Sequence, residues 1–336
     1  MTLRAPYLSA RRLAATAAAL TAFLALSIVA AMLIGPVPTS LVRALAEPAG
    51  TDRLILFGTR LPRIVLGAVV GGSLGASGAA LQALLANPLA CPHLLGISGG
   101  AAVGGVIALI VGAEAISAIV PLAAFAGALV AIGVVYLGAR AGGRSTPLAL
   151  LLVGVVFNVL ASAVIMLLNA VASYAQAHGV LFWLMGSLSG QSWGLIAAAA
   201  AYALAGLAWL AAHAQDLNLL AAGEEGAAEL GVDVERARRA VFVAASLLVG
   251  AAVSVSGMIS FVGLIVPHLV RLVFGADHRL LLPASFLGGA AFLVWADTLA
   301  RTALAPAELP VGVVTALVGG PVFLFLLRRA LVREAS

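Results

Sequence analysis

The chain has 336 residues, of which 63% are hydrophobic and 9% charged, whereas soluble domains carry roughly 45–50% and 25%. That balance excludes an ordinary soluble domain and reads as a polytopic membrane protein. The net charge of +5 comes from 18 basic residues, all arginine, scattered over loops and tails instead of gathered with aromatics on one face, so no nucleic-acid partner is implied. The single cysteine, Cys91, excludes an internal disulfide and a cysteine-based metal cluster.

Arg4, Arg11 and Arg12 precede the first apolar stretch, residues 13–34. At about 22 residues it exceeds the roughly 7–15 of a signal-peptide core and suffices to cross a bilayer. Further spans are predicted at residues 64–85, 94–112, 115–137, 147–168, 195–210, 280–299 and 311–327. Residues 240–274, about 35 in all, are too long for one span, and Gly257, Gly263 and Pro267 offer breaks. If basic residues concentrate in cytoplasmic loops, both tails lie inside, as do Arg140 with Arg144, Arg236 with Arg238 and Arg239, and Arg271 with Arg279. Residues 240–274 must then cross twice. The expectation is an all-α polytopic protein of about ten transmembrane helices, one domain over 1–336, with both termini cytoplasmic.

Only Arg43, Arg53, Arg60, Arg63 and Arg301 remain outside. Two of them stand in TRLPR, residues 59–63, which is expected at the outer mouth of span two. Gly67, Gly71 and Gly75 recur every four residues on one face of that span, the spacing that lets helix backbones approach closely. A Ser-Gly followed by Pro-His-Leu occurs from Ser77 and again from Ser256, an internal echo compatible with two related halves or with chance.

Residues 213–239 form the one long charged loop on the inner side. LNLLAAG (217–223) and EEGAAELG (224–231) each read as a short helix closed by glycine, the second with acids in its first turn. A solvated loop and a docking surface for a cytoplasmic partner both fit. His93, His178, His268 and His278 show no spacing of a metal site. Asp297 and Arg301, one turn apart, are expected to pair at the outer end of span nine. A P-loop, a Ser-His-Asp set and an H-E-x-x-H run are absent from the sequence, so no catalytic residues are assigned. Asn158, Asn169, Ser173, Tyr174 and Gln176 are candidates for lining a polar path.

Long blocks of the chain resemble the FecCD-type permeases, membrane subunits of bacterial ABC importers for cobalamin, haem and iron-siderophores. They are RLPRIVLGAVVGGSLGASGAALQALLANPLACPHLLGISGGAAVGG (60–105), FWLMGSLS (182–189), LNLLAAGEEGAAELGV (217–232), SGMISFVGLIVPHLVRLVFGADHRLLLPAS (256–285) and ELPVGVVTALVGGPVFLFLL (308–327). The resemblance implies a ten-helix subunit in the bacterial inner membrane, paired with a second copy as a homodimer. Two ATPase subunits would dock below and a periplasmic substrate-binding protein above. Leu217, Asn218, Leu219, Leu220, Gly223, Glu224, Glu225, Glu229, Leu230 and Gly231 match the ATPase-coupling loop. Arg60, Arg63 and Arg301 match the cations that meet acids of the binding protein. Asn87, Leu89, Ser145 and Thr146 match the cytoplasmic gate. No cofactor is expected on this chain; ATP and Mg would be used by the partner ATPase. In NPLACPHLLG, Cys91 and His93 depart from relatives that carry an acid before the proline, and no thiol chemistry is expected.

The function expected on these grounds is a non-catalytic permease for an iron-siderophore, with cobalamin or haem as the alternatives. An ion-coupled secondary transporter would need a carboxylate at mid-membrane, and Asp297 near a helix end is the nearest approach to one. An integral-membrane enzyme would need a convergent catalytic set.

Overall fold

The computed structural model describes residues 9–112, 118–141 and 144–334. Arg4 and residues 115–117, at the expected start of span four, lie outside them. Ten helices occupy the ten expected places: α1 (Ala10–Leu33), α4 (Leu61–Leu84), α5 (Ile97–Ile110), α6 (Ile119–Gly138), α7 (Pro147–Val171), α9 (Trp193–Ala212), α12 (Val234–Ser256), α13 (Val262–Phe274), α14 (His278–Thr302) and α15 (Val311–Glu334). Seven are long and apolar enough to cross a membrane; α5, α13 and the apolar part of α15 are shorter. Between them lie the short helices α2 (Leu41–Ala46), α3 (Thr51–Arg53), α8 (Tyr174–Leu184), α10 (Ala214–Ala222) and α11 (Glu224–Glu229). Arg140–Ala141 and Arg144–Ser145 form a two-residue antiparallel pair.

The helix that carries span two does not begin at the arginines. The helix runs unbroken from Thr51 to Leu84, with a π-helical stretch over Leu54–Arg60 directly before Pro62. In a regular helix the Pro62 ring would clash with the carbonyl four residues back and leave it without a donor. Here the Leu61 N–H reaches back five residues to the Leu56 carbonyl, and the widened turn accommodates the ring. TRLPR is therefore a junction within one helix.

Helix α4 is the buried axis of the bundle, and its glycine stripe meets α14. A Cβ at Gly71 would run into the Gly289 carbonyl, one at Gly75 into the Ser285 carbonyl, and one at Gly289 into the Gly71 carbonyl. A Cβ at Gly78 would strike the Gly263 carbonyl of α13. Such backbone proximity leaves no room for side chains and compensates for the missing hydrophobic drive between helices in lipid. The two echoed segments also touch, because His93 Nε2 lies 3.0 Å from Ser260 Oγ. The motifs are not equivalent in structure, however: Pro92–Leu95 is a 3₁₀ turn, whereas Pro267 lies inside α13.

The stretch 240–274 is divided near Gly257, as its glycine suggests. Gly257 and Phe261 both have positive φ, +68° and +67°. Helix α13 has 13 residues, about 20 Å at 1.5 Å per residue and too short alone for a hydrocarbon core of roughly 30 Å. Non-helical backbone at such depth must find partners within the protein. The Ser256 carbonyl accepts from the Ser187 N–H at 2.8 Å, and the Val255 carbonyl from Gln191 Nε2 at 3.0 Å. Gly312, in the first turn of α15, packs against the carbonyls of Met185 and Met258, so two irregular segments and a helix start close over one another.

Candidate coupling face and outer arginine cluster

The candidate site residues fall at two ends of the bundle. At the first, the end of α1, the start of α4 and the end of α14 converge. Arg60 is 5% exposed; its Nη1 donates to the Met32 carbonyl at 2.8 Å and to Thr39 Oγ1 at 3.0 Å, and its Nη2 donates to the Val37 carbonyl. Asp297, 1% exposed, accepts from Arg301 Nε at 3.0 Å and from Arg63 Nε at 2.8 Å. Arg63 Nη1 also reaches Glu308 Oε2 at 2.6 Å. The expected pairing of Asp297 with Arg301 is present, and Arg63 and Glu308 extend it. Exposure is the correction: Arg60 and Arg301 do not reach outward but are buried in internal contacts, and Arg301 Nη1 is left without a partner. Three guanidiniums against two carboxylates leave a surplus of one positive charge around a cavity of about 150 Å³ lined by Arg60, Arg63, Arg301 and Glu308.

At the other end lies the charged loop. Helices α10 and α11 are separated by Gly223 at φ +134°, and Gly231 at +89° ends the second; both glycines adopt φ values that other residues rarely take. Leu217 and Leu220 turn into the bundle, and Leu219 packs beside Leu220 and Ala227. Gly223, Glu224, Glu225, Glu229, Leu230 and Gly231 stay exposed. The loop is thus a built surface with an inner and an outer face.

Asn218 fixes that surface to α14. Its Nδ2 donates to Asp277 Oδ1 at 3.0 Å, and its Oδ1 accepts from the His278 N–H and from His278 Nδ1, each at 2.8 Å. Asp277 caps α14 and also accepts from Arg279, whose Nη2 lies 2.6 Å from Oδ2. Hydrogen bonds from Arg279 first, then from Asn218, hold the Asp277 carboxyl down at about 2 despite partial burial. Alongside, Gln82 accepts from Arg271 Nη2 at 3.0 Å and donates to the Gly263 and Leu264 carbonyls. These groups line a cavity of about 550 Å³ together with Asn87, Pro88 and Asn218.

The four gate candidates lie on two elements of this end. Asn87 Oδ1 accepts from the Leu89 N–H at 2.9 Å, closing the turn after α4, and Leu89 is exposed. Thr146 caps α7 by accepting from the Ala149 N–H at 3.2 Å, while Ser145 is buried. Ser145 Oγ donates to Glu235 Oε1 at 3.0 Å. Among the polar-path candidates, Asn158 donates to the His93 carbonyl, and Gln176 donates to the Ile110 carbonyl at 2.7 Å while completing a capping box with Ser173. Those side chains tie α7 and α8 to α5 and the turn before it. Burial raises the Cys91 thiol above its ordinary pKa, which disfavours the reactive thiolate.

Several residues here escaped the sequence reading. Arg238, Gln82, Arg271 and Asp277 each have at least one partner far along the chain; the local signals were the charged triplet Asp277-His278-Arg279 opening a span and the three-residue spacing of Glu235 and Arg238.

A multi-pass helical bundle with a helix-punctuated charged loop at one end and an ion-paired arginine cluster at the other fits a membrane transport subunit. The FecCD transport family model matches residues 22–329, and the chain belongs to that family. It is similar to the cobalamin import system permease protein BtuC of Halobacterium salinarum, 50% identical over 84% of this chain and 76% of that protein. It also resembles the hemin transport system permease protein HmuU of Yersinia pestis, 43% identical over 80% of this chain and 82% of that protein. A solved inward-facing structure of an ABC transporter assigned to the metal-chelate type superposes with a TM-score of 0.83 at 31% identity, covering 94% of this chain and 99% of that one. The chain is an ABC importer permease of the FecCD type, a role that implies ATPase and substrate-binding partners.

Proposed function

We propose that this permease carries a bulky metal chelate from the periplasm across a bacterial inner membrane, as one of two identical subunits. The observation that carries the reading is the two-faced α10–α11 surface, anchored through Leu217, Leu220 and Asn218 with Glu224, Glu225, Glu229 and Leu230 left facing out. An ATPase using ATP and Mg docks there and drives the bundle between outward-open and inward-open states. Unequal affinity for the two states is what drives the change, since equal binding shifts nothing. The chain itself performs no catalysis and holds no cofactor.

The gate on this reading comprises the Asn87–Leu89 turn and the Ser145–Thr146 cap of α7. At the opposite end Arg63 offers the docking cation for acids of the binding protein, with Arg60 and Arg301 buried behind it as its structural support. Arg63 has the strongest claim, because its partner Glu308 is about half exposed and can be exchanged for another carboxylate. For the substrate, the named relatives favour a cobalamin- or haem-like chelate over the iron-siderophore preferred from sequence. Purified binding protein from the same system should bind cobalamin or haemin more tightly than a ferric siderophore; the reverse order would restore the siderophore.

A further inference from the structure

The α10–α11 surface has two attachments of different character. Asn218 makes three hydrogen bonds to Asp277 and His278, a firm anchor on α14. The second runs through Arg238, in the second turn of α12 and 4% exposed. Its Nη2 lies 2.5 Å from Glu224 Oε1, the first residue of α11, as an ion contact without the alignment of a hydrogen bond. Its Nη1 donates to Glu235 Oε2 at 3.2 Å and to the Ser145 carbonyl. Glu235 in turn accepts from Ser145 Oγ at 3.0 Å, from the Ser145 N–H at 3.3 Å and, at 3.4 Å, from the Tyr136 hydroxyl of α6.

One buried cation thus stands between two carboxylates. Either acid alone balances its charge, so the Glu224 contact can loosen without stranding an uncompensated guanidinium, the costly event in such sites. Glu224 is about half exposed, and a cavity of about 170 Å³, lined by Leu84, Ala86, Leu220, Gly223, Glu224 and Arg238, leaves space beneath the α10–α11 junction. The Ser145 end is different: backbone and side chain are both held, and the next residue, Thr146, caps α7. The chain of contacts is soft at the docking surface and firm at the start of α7.

We infer that Arg238 and Glu235 are positioning residues that carry movement of the docking helices to the first turn of α7, through Glu224, Arg238, Glu235 and Ser145, with Asn218 as the fixed pivot. This inference rests on α10–α11 being the ATPase-docking surface. Contiguity alone does not establish coupling; two arrangements that both ends bias are required: here Glu224 in contact with Arg238, as observed, and Glu224 released from it.

The test uses the reconstituted full transporter and reads chelate transported per ATP hydrolysed, a ratio that a purely structural defect would leave alone. Glu235→Gln keeps Arg238 paired with Glu224 and bonded to the Ser145 carbonyl but weakens the grip of residue 235 on the Ser145 hydroxyl and N–H. The ATPase should copurify at wild-type stoichiometry and hydrolyse at the wild-type basal rate, while the ratio falls about fivefold to tenfold, in the range of ordinary coupling effects. Arg238→Lys, which keeps the charge but cannot span three partners, should show the same loss, and Tyr136→Phe should not. A wild-type ratio in Glu235→Gln overturns the inference; should that variant fail to assemble, a wild-type ratio in Arg238→Lys does so. Failure of the wild-type chain to retain an ATPase would instead overturn the docking reading beneath it.

Discussion

Arg63 and Asp297, 234 positions apart, are joined Nε to Oδ1 at 2.8 Å, and Asp297 holds Arg301 with its other oxygen. The pair locks the start of α4 to the end of α14, the same two helices whose glycines meet lower in the bundle. Asp297→Asn would leave two guanidiniums facing a neutral amide; removing one member of a buried pair costs about 3–5 kcal/mol. Glu308→Gln, at a site 48% exposed, should cost under about 1 kcal/mol. Thermal unfolding in detergent should therefore separate the two variants clearly.

Arg60 is enclosed by acceptors, the carbonyls of Met32 and Val37 and the Thr39 hydroxyl. Arg60→Glu would set a carboxylate against them, and the expected result is a loss of folded protein, on the order of 3 kcal/mol or more. Size-exclusion yield measures it. Arg63→Gln leaves Asp297 paired with Arg301 at some cost to the α4–α14 lock, and it should weaken binding-protein docking, most at low salt where screening is least.

Close packing of α4 on α14 predicts that Gly71→Ala separates the helices. The added Cβ meets the Gly289 carbonyl, an overpacking cost of about 1–3 kcal/mol. Gly179→Ala in α8 meets nothing within 4 Å and should be neutral or stabilising by up to about 1 kcal/mol. Melting temperatures of the two variants against the parent decide this.

The Asp277 carboxyl titrates near 2, below its ordinary value of 3.8. A depressed carboxylate contributes stability fully above its unfolded pKa and loses it as pH falls through the folded one. The contribution of Asp277 to the attachment of α10 to α14 should thus be complete above about 4 and weaken between about 4 and 2. Unfolding midpoints measured across that range should fall in the parent, and part of that fall should be missing in Asp277→Asn.

Helix places were legible because apolar runs of membrane length report directly on burial in lipid, and glycine closed α10 and α11 where the sequence put it. The arginines also sort by end of the bundle: Arg238, Arg271 and Arg279 share one end, Arg60, Arg63 and Arg301 the other. What the sequence concealed depends on distant partners. Nothing near Arg60 announces that carbonyls from the end of α1 and the loop after it will enclose it, nor does Arg63 point to residue 297. The extension of span two's helix before the arginines was not legible because a proline between arginines looks like a helix entrance, whereas a π-turn carries the helix through it. Helix α8, with His178 and Gln176 among its 11 residues, is too short and too polar for a span-length window to find.

The central claim is that ATP hydrolysis by a docked partner, and no ion gradient, moves the cargo. Vesicles containing this permease, its ATPase and its binding protein should accumulate radiolabelled cobalamin or haemin only when ATP and Mg are supplied on the ATPase side, and should stop when α10–α11 is disrupted by Leu217→Asp. Accumulation driven by a proton or sodium gradient without the ATPase would contradict the account.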